Sequence, residues 1–218
     1  DLAAWFGLPL TQPGANSVRR GDERTAPVTI VDGDRCGRFV SSVMSGVVVG
    51  PSTPWMQRRL SLAGMRPINN VVDVSNYVML EVNNPNHAYD LDTLGQGSFR
   101  IRRAGDAEKI VTLDGVERTM MPRDLLICDG ADRPIGVAGI MGGLDSEISA
   151  STTTVVLEVA WFDPEGIGQS VPYLGLRSEA SARFERGVDP YGIDLAVNRF
   201  AELLAETCPS LRSEEHTS

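Results

Sequence analysis

The sequence predicts an α+β fold with a β-rich core. Strand-like and helix-like segments are segregated along the chain, which argues against the strict alternation of a doubly wound parallel sheet. From Gly97 the hydrophobic period changes to two, and about 40 residues follow as short strands with no helix between them. Helical periodicity then returns and closes the chain.

Taken in order, Asp1–Gly7 reads as the tail of a helix. Residues 8–27, rich in Pro, Gly and charge and without periodicity, read as a linker. Pro27–Asp32 is a short strand, Asp34–Gly37 a turn, and Arg38–Val49 a longer strand dense in Val and Ser. After the Gly50-Pro51 break, with Ser52 or Thr53 as cap, a helix is expected near Trp55–Ala63. Trp55, Leu60 and Leu62 give it an apolar side, and Gly64 stops it.

A second helix covers Val71–Glu81. Val72, Tyr77, Met79 and Leu80 line its buried face, while Asp73 and Asn76, three apart, share a side. That polar pair is either a solvated strip or part of a polar site. The meander follows as Ser98–Arg102, Lys109–Leu113, Val116–Arg118, Asp124–Cys128 and Pro134–Val137, with Asp114-Gly115 a hairpin turn and Asp129–Arg133 another. Gly136–Gly143 is a glycine-rich turn and Thr152–Ala160 a strand. Asp163-Pro164 opens a short helix, and Gly175–Gly187 holds a loop and a helical turn. Pro190–Glu206 is the last helix, with Leu195, Phe200, Leu203 and Leu204 facing the core.

This divides the chain into a linker and tail of a preceding domain over 1–27, one domain over 28–206, and a tail over 207–218. Both ends look cut. Asp1 is not a start methionine, and Arg212–Ser218 (RSEEHTS) is what one reading frame of a common short-read sequencing adapter encodes. The chain is expected to be a fragment of a longer gene with a disordered or non-native end.

Composition excludes several classes. At 218 residues, 42% hydrophobic and 22% charged, the chain has the make-up of a soluble globular domain. No apolar run approaches the ~20 residues of a membrane span, and no signal segment opens the chain. Cys36, Cys128 and Cys208 are far apart and odd in number, without CxxC or Cys/His ligand spacing. Neither a disulfide framework nor a zinc site is expected, and a reducing cytoplasm fits. The net charge of −9 argues against a broad nucleic-acid surface but leaves room for a local contact. Lysine is nearly absent (Lys109), so the positive charge is almost all arginine.

Four features bear on chemistry. The segment GVAGIMGG, from Gly136, has a passing likeness to a dinucleotide fingerprint. It lacks the following helix, and reads better as a tight turn where backbone passes close to something. Glu158 stands in an apolar strand between Leu157 and Val159; it faces water or, alternatively, a pocket. His87 follows the turn-forming Asn84-Pro85 and has no nucleophile or second histidine at a meaningful spacing. That disfavours a triad and a multi-histidine metal site, and leaves a structural residue or a single base or water-orienting group. Arg177, Glu179, Arg183, Glu185 and Arg186 lie within ten residues and read as a structural ion-pair network, with Gly187 at a helix end.

Five segments in order and spacing then carry a resemblance. They are Arg66-Pro67-Ile68-Asn69 with Val72–Met79, Pro85 with His87-Ala88-Tyr89-Asp90, Ala138–Gly143, Leu157-Glu158, and Arg183–Pro190. Together they resemble the central editing domain, the third and fourth modules, of the bacterial phenylalanine–tRNA ligase beta-subunit family, over roughly 34–206.

The resemblance implies a sandwich-like mixed sheet with flanking helices, and an editing domain over 28–206. This domain would hydrolyse tyrosine wrongly attached to tRNA(Phe). A synthetic site that accepts phenylalanine discriminates poorly against an analogue that merely adds a hydroxyl, so a second site must recognise that hydroxyl. By the resemblance, Glu158 accepts from the tyrosine phenol and the Gly139 N–H contacts the same group. Asn76 and His87 lie near the ester and its water. Ser75 and Ser178 each stand in place of a usual threonine, and Ala180 is a small residue of the pocket wall.

Neither metal nor covalent intermediate is expected. ATP and magnesium belong only to the parent ligase, whose alpha subunit and (αβ)2 assembly, with the tRNA(Phe) acceptor end, are the implied partners. Departures from the family pattern exist. Asn83-Asn84-Pro85-Asn86 replaces the usual Gly-Gln-Pro-(Leu/Met), which puts packing at Asn86 in question, and Glu179 replaces an aspartate. The competing reading is a non-catalytic structural or tRNA-docking module. A stand-alone protein that borrowed the domain is a third, which the cut ends disfavour.

Overall fold

The computed structural model describes residues 2–10, 13, 24–144 and 147–217. Much of the expected linker (11, 12 and 14–23) lies outside the described residues, as do 145, 146 and 218. The elements, in chain order, are α1 (Leu2–Phe6), β1 (Val28–Ile30), β2 (Cys36–Ser45), α2 (Pro54–Leu62), α3 (Asn70–Val82), β3 (Asn86–Asp90), β4 (Phe99–Arg103), β5 (Lys109–Val111), β6 (Glu117–Thr119), β7 (Leu125–Asp129), β8 (Pro134–Val137), β9 (Met141–Gly142), β10 (Thr154–Phe162), α4 (Pro164–Leu174), α5 (Glu179–Phe184), α6 (Ile193–Ala205) and β11 (Arg212–Thr217).

Two sheets face each other. One has the order β1-β4-β7-β8-β9, the other β11-β2-β10-β3, and β5-β6 form a separate hairpin. Pairing is antiparallel except for β1 with β4, so the fold is the mixed, β-rich α+β arrangement that the sequence predicts. Aromatic contacts bridge the sheets: Phe99 of β4 meets Phe39 of β2 at 5.4 Å and Tyr89 of β3 at 5.3 Å between ring centroids. The far face of the second sheet is covered by α2, α3 and α6. Val40, Met44, Val155, Leu157 and Val159 pack there with Val74, Val78, Val197 and Phe200.

This layering encloses β10 on both faces. Val156, Ala160 and Phe162 face the sandwich interior, while Val155, Leu157 and Val159 face the helices. A strand covered on both faces reads as a nearly continuous apolar run. Glu158 has the parity of Val156 and Ala160, so it points into the sandwich rather than into water.

Several local expectations shift by a residue or more. On α2, Met56 and Leu60 are the buried pair and Leu62 faces solvent. On α3 the buried face runs through Val71, Val74, Tyr77 and Val78, and on α6 through Ala196, Val197, Phe200 and Leu204 rather than Leu195. The turn expected at Asn84-Pro85 leads into β3, a strand that the sequence pattern did not reveal. The chain also does not leave the domain at 206, where a disordered or non-native tail was expected. Cys208 and Leu211 are buried, and 212–217 pair antiparallel with 40–45 of β2. An open sheet edge offers unpaired N–H and C=O groups to any extended segment that reaches it.

No helix among the described residues is long and apolar enough to cross a membrane.

Candidate functional site

The register of β3 on β10 builds the site. In this antiparallel pair Glu158 lies directly opposite His87, and Val156 opposite Tyr89. Directly opposed residues share a face, and their diagonal neighbours lie within reach of an aromatic side chain. His87, Tyr89 and Glu158 therefore converge on the sandwich interior. The Tyr89 hydroxyl donates to Glu158 Oε2 at 2.7 Å, and its ring stands edge-on to the His87 ring at 4.6 Å.

The helix before β3 is positioned by its caps. Asn69 accepts from the Val72 N–H at the start of α3, and Asn83 follows the helix in the left-handed region at φ 59°. Asp73 is buried. It accepts from the Ser52 hydroxyl and from the Ile68 N–H at 2.7 Å, so it anchors α3 and is not part of a solvated strip. Asn76, on the same side, lines an open groove instead.

Ser75 and Asn86 clasp α3 to β3 reciprocally. The Ser75 hydroxyl donates to the Asn86 carbonyl at 3.0 Å, and the Asn86 amide donates to the carbonyls of Ser75 and Asn84, both at 3.2 Å. The polar residue at 86 thus has hydrogen bonds of its own within the fold.

The wall opposite is the β8–β9 hairpin. GVAGIMGG is a tight hairpin turn, not a dinucleotide loop. Ala138 and Ile140 donate their N–H groups to the carbonyls of Leu125 and Val137. Gly139, between them, sits at φ 68°, and an added Cβ there would come within 2.9 to 3.1 Å of Ile167, Phe184 and Phe162. Only glycine fits both constraints. A Cβ at Gly142 would stand 2.6 Å from His87 Nε2, so this glycine makes room for the imidazole.

The third wall is α5. Ser178 is its N-cap: its hydroxyl accepts from the Ser181 N–H and donates to the Ile140 carbonyl at 2.7 Å, tying helix to hairpin. The ion pairs Arg183–Glu179 (2.7 Å), at the helical spacing of four, and Arg177–Glu185 (3.0 Å), eight apart, brace this segment.

These walls line two neighbouring spaces. An inner pocket of about 90 Å³ is lined by Tyr89, Gly136, Gly139, Glu158 and Phe184 among others. An outer groove of about 520 Å³ is lined by Ser75, Asn76, Met79, Glu147, Ser178 and Glu179 among others. Asn86, His87, Ile140, Met141, Gly142 and Ala180 line both and form the throat. The seven residues singled out from the sequence line one or both of these spaces: Glu158 and Gly139 the inner, Ser75, Asn76 and Ser178 the outer, His87 and Ala180 both. Tyr89 completes the inner end. In sequence it reads as an ordinary core aromatic; its spacing of two from His87, on a strand, was the signal that could have found it.

Electrostatics follow from burial. Glu158, 6% exposed, has its carboxyl pushed up to about 7 by desolvation, against which the Tyr89 hydrogen bond pulls downward. Desolvation pushes the His87 imidazole down to about 4, so it is neutral at pH 7. Among the described residues His87 Nε2 is buried and has no hydrogen-bond partner, and the same holds for Asn86 Oδ1. Burial and the neighbouring Glu158 hold the Tyr89 phenol well above its ordinary range. Among the described residues no group of three or more His, Cys, Asp or Glu side chains could hold a metal ion.

Comparison with known proteins agrees with this architecture. A family model described as the B3/4 domain matches residues 35–209. The chain is similar to the phenylalanine–tRNA ligase beta subunit of Moorella thermoacetica, at 49% identity over 94% of the chain and 26% of that protein. It is similar also to those of Geobacter sulfurreducens, at 46% over 94% and 26%, and Gloeobacter violaceus, at 45% over 98% and 27%. The chain thus spans about a quarter of the length of these relatives. Among solved structures, an N-terminal fragment of the phenylalanyl-tRNA synthetase beta subunit from Pyrococcus horikoshii shares the fold. Its TM-score is 0.58 at 12% identity, covering 93% of this chain and 56% of that one. The chain belongs to the B3/4 domain family.

Proposed function

We propose that this domain edits mischarged tRNA, hydrolysing the ester of tyrosine wrongly attached to tRNA(Phe) within a cytoplasmic phenylalanine–tRNA ligase built from alpha and beta subunits as (αβ)2. The observation that carries the reading is Glu158, a buried acid lining a pocket that shares six lining residues with a wider groove. A phenol entering from the groove meets an acceptor there. A phenyl ring does not satisfy that acceptor, at a cost of about 1–3 kcal/mol. The inner space is smaller than the ~150 Å³ cavity that accommodates benzene, so the ring spans pocket and throat, passing Ala180. The ester then lies by His87, and the tRNA's terminal nucleotide lies in the groove beside Ser75, Asn76 and Ser178.

In this reading water attacks the ester carbonyl, the ester C–O bond breaks, and the tRNA hydroxyl and free tyrosine leave. His87 is a poor general base at neutral pH because its conjugate acid is too strong. Its unpartnered Nε2 instead holds the attacking water, so most of the rate comes from positioning and hydrogen-bond polarisation. Ser75 keeps α3 and β3 in register, and Ser178 fixes the hairpin that presents the Gly139 N–H. The tRNA's own terminal hydroxyls are available to assist.

Deacylation of Tyr-tRNA(Phe) by the intact ligase tests the reading, with His87→Ala and Glu158→Ala variants beside wild type. Both variants should lose activity. Equal rates in all three would refute the site. Binding of free tyrosine at Glu158 without any deacylation by wild type would leave the docking-module reading in its place.

A further inference from the structure

The pocket already contains a phenol of its own. Tyr89 is 1% exposed, and its ring is held edge-on between His87 and Phe99, with centroids at 4.6 and 5.3 Å. Its hydroxyl lies 3.4 Å from where a Cβ would stand on Gly136, so the facing strand leaves space for it. So held, the hydroxyl donates to Glu158 Oε2, and Oε1 takes no part in that bond. We propose that Tyr89 is a positioning residue for hydroxyl recognition: by occupying Glu158 Oε2 it fixes the carboxylate so that Oε1 receives the substrate phenol.

The inference rests on the editing function proposed above and deepens it. A free carboxylate in a small pocket has several rotamers and two equivalent oxygens. One internal donor removes both ambiguities before substrate arrives, which is the preorganisation that makes a buried acceptor selective. The donor also stabilises the ionised carboxylate against the burial that opposes ionisation. Without it, Glu158 would stay protonated further into the alkaline range and carry a hydroxyl of its own toward the ligand.

The test is the pH profile of Tyr-tRNA(Phe) deacylation by the intact ligase, for wild type, Tyr89→Phe and Glu158→Gln, with uncatalysed hydrolysis subtracted at each pH. Tyr89→Phe removes one oxygen and keeps the ring; its unfolding midpoint is recorded alongside. The expected result is a rise in kcat/KM with pH for wild type, governed by Glu158, and a midpoint about one unit higher in Tyr89→Phe. At neutral pH that amounts to a several-fold loss, recovered at alkaline pH. An unchanged profile in Tyr89→Phe, or an equal loss at every pH, overturns the inference while Glu158→Gln still reports on the functional reading. A gain at every pH also overturns it, because Tyr89 would then compete with the substrate. If wild type and Glu158→Gln have the same profile, the functional reading fails and the inference falls with it.

Discussion

The two ends of the site are built on opposite terms. At the inner end, polar groups are few and enclosed: Tyr89 donates to one oxygen of Glu158, and apolar side chains surround the pair. At the throat, two buried polar atoms, His87 Nε2 and Asn86 Oδ1, have no partner among the described residues. A matched buried pair is rigid and selects; unmatched buried atoms cost stability until a ligand or water satisfies them. Under the proposed function the difference would separate recognition from reaction, with the deep end reading which amino acid has entered and the throat holding the water and ester.

Blocking the passage between the two ends should have the largest effect. Ala180→Trp places an indole in the throat from the first turn of α5, where the side chain is only partly buried. The fold should survive, as read by circular dichroism, while tyrosyl-ester hydrolysis falls by roughly a hundredfold or more. Unchanged activity would remove Ala180 from the substrate's path.

The two ends should also have opposite signs in stability against pH. The Glu158 carboxyl titrates at about 7 when folded and near 4.5 when unfolded, so its contribution is full below pH 4.5 and is lost as pH rises to 7. The His87 imidazole titrates at about 4 when folded and near 6.5 when unfolded, so its contribution is full above pH 6.5 and is lost as pH falls to 4. Each amounts to roughly 3 kcal/mol and they nearly cancel in the wild type. Glu158→Gln should therefore gain stability as pH rises from 4 to 6.5, and His87→Gln should lose it from 4.5 to 7. Urea unfolding at several pH values reads both slopes, and parallel curves for the two variants would contradict this pairing.

Smaller changes sharpen the throat. Gly142→Ala drives a methyl toward His87 Nε2, so it should displace the imidazole and cost about 1–3 kcal/mol of stability together with deacylation. Asn86→Leu should matter least. It removes a two-bond amide clasp but also an unpartnered buried oxygen, and the two should balance to within about 1 kcal/mol in thermal unfolding. A loss well beyond that would mean Asn86 Oδ1 has a partner in the working enzyme.

Much of the fold was legible because its signals are local. The caps and turn residues around α2 and α3, the period-two meander and the Asp114-Gly115 turn all act within a few positions. β3 was not legible. It has five residues, three of them polar, and it is a strand only because α3 folds back over Ala88 while the facing sheet covers Tyr89. The orientation of Glu158 was hidden for the same reason: alternation presumes one wet face, and β10 has none. The role of Tyr89 depends on cross-strand register, which no reading of a single strand supplies. The residues that line the pocket and groove were marked by the resemblance that five segments carry together, and the hydroxyls of Ser75 and Ser178 form ties between elements as well as lining the groove.

The central claim is that Glu158 reads the hydroxyl. The most direct measurement is the ratio of kcat/KM for the tyrosyl and phenylalanyl esters of tRNA(Phe), in the intact ligase, for wild type and Glu158→Gln at a pH above 7. Wild type should show a strong preference for the tyrosyl ester. In the variant it should shrink by about 1–3 kcal/mol, mostly through loss on tyrosine. An unchanged ratio, with both esters slowed equally or not at all, would contradict it.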